Sequence, residues 1–375
     1  MRLLSASVFG QLLLLVSLVV PGCSTNPTSG GAADSKPVLA SLTTVVILPT
    51  LRATDASAEA MRVAVKALEA APSAATLTAA QASWRAARKS WSRGDAFRFG
   101  PVTEKNIADA IDFWPARPAA IEDVVKGSGP VTVAAIELLG SNARGFHGIE
   151  YILFDSAGGD AVVLAKLTTD PSAARRLSYL AAAAEHLRGK AAELLAAWDP
   201  AGGNFARELR EAGSGAVLFP SAKSAVDQLV NSSAVSLELV TATKIGRPYG
   251  TRTGGVVAPD QEQSALSDNS LAEMLDTLEG VRALYFGVYE GGQGRGLSEL
   301  VRAKNPALDD RMSAAFESSR GTIAAIPPPF RTAIVAQRQA VEPAYQASRL
   351  LRDTMRTEVV QVLLVPLQIS PNDGD

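Results

Sequence analysis

The chain has 375 residues, with 36 Lys and Arg against 38 Asp and Glu, a formal charge of −2. This balance, with no run of basic residues, argues against nucleic acid as a partner. Alanine and leucine are abundant and β-branched alternation is rare, so the sequence predicts an all-α fold.

Residues 1–22 read as an export leader. Arg2 supplies the positive start, residues 3–20 are mostly apolar, and small residues follow. The run ends in Val20-Pro21-Gly22-Cys23-Ser24, which looks like a bacterial lipobox. Cys23 would then be the first mature residue and carry the lipid. It is the chain's single cysteine, so no internal disulfide is possible. Residues 23–40 read as a flexible tether. Ser24 stands where an inner-membrane retention aspartate would sit, which favours an outer-membrane anchor in the bacterial cell envelope. No later segment reads as long and apolar enough to span a bilayer.

Helical periodicity then predicts elements over 57–69, 75–93, 171–198, 222–245, 270–286, 308–326 and 329–365, with Pro343 kinking or splitting the last. The Gly/Thr/Pro-rich stretch 249–262 is the expected joint, with 202–219 as a competitor. The expected layout is two helical bundles packed side by side, over 41–250 and 251–375.

One motif carries chemistry. In Gly145-Phe146-His147-Gly148-Ile149-Glu150, a helix places His147 and Glu150 on one face, one turn apart. A converging imidazole and carboxylate form half of a metal site. The bland alternative is a plain helical pair. The other histidine, His186, lies between Glu185 and Leu187 on a face that reads as charged and solvated. Trp84 and Trp91 share a helix face that reads as core.

These residues resemble the GxHxxE segment of the imelysin-like family. Three other stretches resemble the same family: Asp95-Ala96-Phe97-Arg98-Phe99-Gly100-Pro101, Ile111-Asp112-Phe113-Trp114-Pro115, and Leu266-Ser267-Asp268-Asn269-Ser270 through Leu278-Glu279-Gly280 to Tyr285-Phe286-Gly287. The terminal Asn372-Asp373-Gly374-Asp375 also fits. The resemblance implies two bundle-like halves with GxHxxE near the groove between them, in an envelope protein tied to iron. It implies a metal site of His147 and Glu150 with Asp95 as third ligand, where the family pattern has Glu. Asp112, Asn269, Arg282 and Tyr285 would border the groove.

The donors expected are one imidazole and several carboxylates. That set suits a divalent or ferric ion with iron favoured, and zinc is possible. The leading expectation is a lipid-anchored protein binding iron or an iron chelate for an iron-transport system. The alternative is a metallopeptidase with Glu150 as base. The chain lacks HExxH, which weighs against that alternative.

Overall fold

The structure, a computed structural model, describes residues 34–367. The leader, Cys23 and the terminal Asn372-Asp373-Gly374-Asp375 lie outside the described residues.

The first helix, α1, runs Ser35–Ala70. It begins inside the stretch read as tether. Asp34 caps it by accepting from the Lys36 backbone, and Val38 and Leu39 are buried. Pro37 falls in the first turn, where a helix tolerates it. A π-helical turn, Leu42–Ile47, precedes Pro49, which cannot donate a backbone hydrogen bond. By length and composition α1 could cross a membrane, contrary to the expectation above. Its apolar face is used instead in the core, where Leu39, Leu42, Ile47, Met61 and Val65 are buried.

Helix α2, Ala74–Arg93, starts at a capping box between Ser73 and Thr76. Several short helices follow, including Gly94–Phe97, Ile107–Ile111 and Val133–Glu137. Helix α3, Gly145–Leu153, carries the motif and is buried along most of its length. Helices α4, Ala173–Trp198, and α5, Ala222–Glu238, are followed by α6, Ser270–Phe286. Helix α5 runs on through a π-helical turn, Leu239–Gly246. A two-rung hairpin (β1, Val288–Tyr289; β2, Gly292–Gln293) leads towards α7, Pro306–Ala324.

The last predicted helix is divided. It forms Phe330–Ala336 and then α8, Arg338–Thr354. The break falls at Gln337, whose φ is −134, and not at Pro343. Pro343 lies inside α8, where its missing donor costs one bond to the carbonyl four residues back.

Helices α1, α2 and α4 pack together, with α3 against α2 and α4. Helices α5 to α8 form the second group, and α2 joins it by packing on α6. That crossing is very close. A Cβ on Gly280 of α6 would lie 2.1 Å from the Arg93 carbonyl oxygen. Only glycine allows the two backbones to approach so far. The end of α2 and the middle of α6 therefore face each other across the two groups.

Candidate functional site

Helix α3 places His147 and Glu150 as the spacing predicts. Nδ1 of His147 lies 2.9 Å from Oε2 of Glu150. A carboxylate only accepts, so Nδ1 carries the proton. The other oxygen of Glu150 is taken as well. Ser267 donates to Oε1 twice, from its backbone N–H at 3.1 Å and its hydroxyl at 2.7 Å. Ser267 comes from the segment before α6, so the second group of helices closes over the motif. Arg85 holds that segment by donating to the Ser267 carbonyl at 2.7 Å. Arg331 holds it through the Ala265 carbonyl and Asp268.

His147 turns its second nitrogen to Asp112. Nε2 lies 3.3 Å from Asp112 Oδ1 but makes no aligned hydrogen bond. Gly145 sets this approach. Its φ is +69, and a Cβ there would lie 2.3 Å from the Ile111 carbonyl oxygen. The residue after Ile111 is Asp112, so the tight glycine contact brings that carboxylate beside the imidazole.

Asp112 Oδ2 meets three donors. The Arg88 guanidinium lies at 2.6 Å, Trp91 Nε1–H at 2.8 Å and Arg98 Nη2 at 3.3 Å. Arg88 is 1% exposed and also donates to Glu273 Oε2 at 2.9 Å. Lys244 and Asn269 complete the surroundings of Glu273, at 3.3 and 3.1 Å. The result is an alternating chain of charge through the interior: Glu150, His147, Asp112, Arg88, Glu273, Lys244.

The charges hold one another in place. Burial alone would push the His147 imidazolium down, but the Asp112 and Glu150 carboxylates beside it outweigh this and raise the pKa to about 9. Burial works against ionised Asp112 too, yet the Arg88 guanidinium, with His147 and Arg98, holds it well below the usual carboxylate range. Glu273 is likewise desolvated, and Arg88 and Lys244 bring it down to about 2.

Asp95 is buried in the turn after α2. Thr277 Oγ1 donates to its Oδ2 at 2.8 Å, and Arg98 pairs with its Oδ1. Asp95 meets the site through Arg98, which touches Asp112 as well. Of the other groove candidates, Asn269 is present through Glu273. Tyr285 and Arg282 lie elsewhere. The Tyr285 hydroxyl donates to Asp309 at 2.9 Å, and Arg282 pairs with Glu279 and Glu317. Both point to α7 rather than to the motif. His186 is buried, not solvated, with Nε2 2.6 Å from Glu137 Oε2. Trp84 is core, and its indole N–H donates to the Phe146 carbonyl at 3.0 Å.

Arg88, Arg98, Lys244, Ser267 and Glu273 were not foreseen as members of the site. Arg88 left a trace. It lies on the same stripe of α2 as Leu77, Trp84 and Trp91, where a charge is out of place.

Among the described residues, no three His, Cys, Asp or Glu side chains converge closely enough to hold a metal ion. The donors are separated by guanidinium groups. His147 Nε2 is buried beside the Asp112 carboxylate without an aligned hydrogen bond, whereas Asp95 Oδ1 is occupied by Arg98. A cavity of about 20 Å³, room for one water, is lined by Trp91, Phe97, Arg98 and Trp198. The larger cleft, about 450 Å³ beside Val124, Val131 and Arg175, has none of the network residues in its wall.

The segment over the site also carries Glu262. Ser270 Oγ donates to its Oε1 at 2.6 Å, while Oε2 is buried without a partner. Burial pushes its carboxyl up to about 7. The unfolded chain gives up this proton near 4.5 while the folded chain keeps it, so stability falls from about pH 4.5 to about pH 7 and stays lower above. Glu262→Gln is therefore expected to exceed the wild type by about 1–3 kcal/mol near pH 8 and to match it near pH 4. Urea denaturation at both pH values checks this. A difference that persists at the acid end would remove the carboxyl as its cause.

Fold and site define an all-helical protein of two packed bundles around a buried chain of opposite charges. Residues 47–355 match the Imelysin family model, whose label is that of a peptidase group. The chain belongs to the imelysin family. It is 28% identical over 325 residues to iron-regulated protein A of Synechococcus elongatus, covering 85% of this chain and 84% of that one. The fold is similar to that of an iron-regulated protein A precursor from Parabacteroides distasonis, with TM-score 0.75, 24% identity, and 88% and 94% of the two chains covered. It is also similar to an imelysin-like protein from Psychrobacter arcticum, with TM-score 0.72, 15% identity, and 89% and 97% covered.

Proposed function

We propose that this chain is a lipid-anchored envelope protein that binds iron, or an iron-bearing ligand, at the His147 site and serves iron uptake. The observation that carries it is the buried Nε2 of His147, unaligned with any partner and beside the Asp112 carboxylate. Its Nδ1–H is fixed by Glu150, as an outer carboxylate fixes a metal-binding imidazole. Glu150 is thus better placed to orient His147 than to bind the ion itself. The relative named as iron-regulated supports iron as the cargo. One imidazole among carboxylates suits iron better than a zinc hydrolase site.

The peptidase alternative has less support. Glu150 has both oxygens engaged and is 3% exposed, so neither oxygen is turned to water.

The test is a titration of the purified protein with iron and with zinc, beside His147→Ala. About one equivalent of iron, lost in the variant, is expected. Equal binding by both proteins would sink the assignment.

A further inference from the structure

Exposed apolar side chains scattered singly need no explanation. At one end of this molecule they gather. Val217 is 90% exposed and Leu364 74%, and Leu218 is exposed beside Val217. Val217 and Leu218 belong to the loop that leads into α5. Gly213 seats that loop on the start of α5, since a Cβ there would lie 3.0 Å from the Ala222 nitrogen. Lys223, in the same turn, donates to the Leu364 carbonyl at 2.8 Å. The three apolar side chains are therefore fixed around the first turn of one helix.

The backbone of Leu364 is unusual. Its φ is +57, and it ends the helix that continues α8 through Met355–Val359 and Val360–Leu363. Glycine or asparagine usually takes this left-handed place. A leucine there bears backbone strain while its side chain stands in water, so packing inside the protein does not account for it.

The described chain begins at the same end. Lys36, in the first turn of α1, donates to Ser214 Oγ at 2.6 Å, and this part of α1 packs on α5. Ten residues lie between Cys23 and Asp34. Even fully extended, they span at most about 40 Å. Helix α8 with its continuation is as long as that, so Val335, just ahead of it, lies about 40 Å from Leu364. A chain anchored at Cys23 thus brings its Leu364 end to the bilayer easily, and its Val335 end only with the tether stretched to its limit.

We propose that this end is a membrane-seating face: Val217, Leu218 and Leu364 enter the outer part of the bilayer that holds the Cys23 lipid, and so fix which way the anchored chain stands. This rests on the lipid-anchored reading above and adds an orientation to it. The anchor supplies a high local concentration, so a contact too weak to hold the free protein suffices. Charge at this end is mixed. Lys36, Lys223 and Lys304 lie here, but so do Glu208, Glu211 and Asp227. Apolar contact, rather than attraction to anionic headgroups, therefore carries the seating. The buried charge network is held off the membrane, because Lys244 lies about 30 Å beyond Lys223 along α5 and its π-helical turn.

The full chain is produced with its leader in a bacterial host, extracted from membranes, and its acylation read by mass spectrometry. Cys23 is the only native cysteine, so Val217→Cys, Leu364→Cys and Val335→Cys each offer one free thiol to a nitrobenzoxadiazole label once Cys23 is acylated. Val335 is exposed too and serves as the control. The labelled proteins are placed on phosphatidylcholine vesicles with brominated acyl chains, with and without phosphatidylglycerol. Labels at 217 and 364 are expected to be quenched severalfold more than the label at 335, to the same extent in both lipid mixtures. Val217→Ser with Leu218→Ser is expected to remove most of the quenching at 364. Equal quenching at all three positions of acylated protein overturns the orientation and leaves the anchor standing. Quenching that needs phosphatidylglycerol overturns the apolar basis. Labels at 217 and 364 that iodide cannot reach before vesicles are added, and that bromine does not quench afterwards, show another segment or a second copy on this face and overturn the proposal. A Cys23 without lipid overturns the anchor and the orientation together.

Discussion

Arg88→Met is expected to cost about 3–5 kcal/mol of stability, because it strands buried carboxylates that one guanidinium now neutralises. Arg88 lies 2.6 Å from Asp112 and 2.9 Å from Glu273, and it is 1% exposed. Methionine fills much of the volume and supplies no charge. Lys244 remains beside Glu273, so the loss falls hardest on Asp112. Urea denaturation at neutral pH measures the cost. A second variant, Arg88→Met with Glu273→Gln, is expected to recover part of it by removing one of the stranded charges. A loss under about 1 kcal/mol in the single variant would mean that water reaches these carboxylates.

Gly145→Val should cost about 3 kcal/mol or more, from a left-handed backbone that suits no β-branched residue and from a backbone clash. The φ of +69 and the 2.3 Å approach to the Ile111 carbonyl leave no space for a side chain. The functional effect follows from the next residue along. If Ile111 moves away, Asp112 moves with it, and His147 loses one of its two carboxylates. The imidazole pKa, now about 9, is expected to fall towards its ordinary value of 6.5. Histidine ring NMR across the pH range reads this directly, and iron affinity should drop in parallel. A folded Gly145→Val protein with an unchanged His147 titration would show that the glycine does not position Asp112.

The fold was largely legible because long alanine- and leucine-rich runs have one reading. Residues 270–286 match α6 to the residue. The start of α1 is not legible because Ser35, Lys36 and Pro37 resemble the residues before them in composition, and their helix depends on a cap at Asp34 and on tertiary burial of Val38 and Leu39. The break at Gln337 was misplaced onto Pro343 because proline has a local signature and a loop set by packing has none.

Of the site, the His147–Glu150 pair followed from spacing alone. Asp112 and Asp95 came from likeness to family segments. Arg88 showed only as a charge on the apolar stripe of α2, and Lys244 and Glu273 were illegible for a physical reason. A buried charge and a solvated charge are the same letter, and only their partners differ. Those partners lie far off in sequence: Arg88 and Glu273 are separated by 185 positions. The misplacement of Tyr285 and Arg282 has the same origin, since sharing α6 with Glu273 does not fix which face they use.

The π-helical turn Leu239–Gly246 has a consequence for how such chains vary. Lys244 sits within it, past Ser236, whose hydroxyl donates to the Asp95 carbonyl at 2.8 Å. A helix turns about 100° per residue, so deleting one residue from this turn would leave a regular helix of almost the same length while swinging the ammonium away from Glu273. Natural variants that gain or lose a residue here should therefore change Lys244 and Glu273 together, even when every hydrophobic position of the helix is kept.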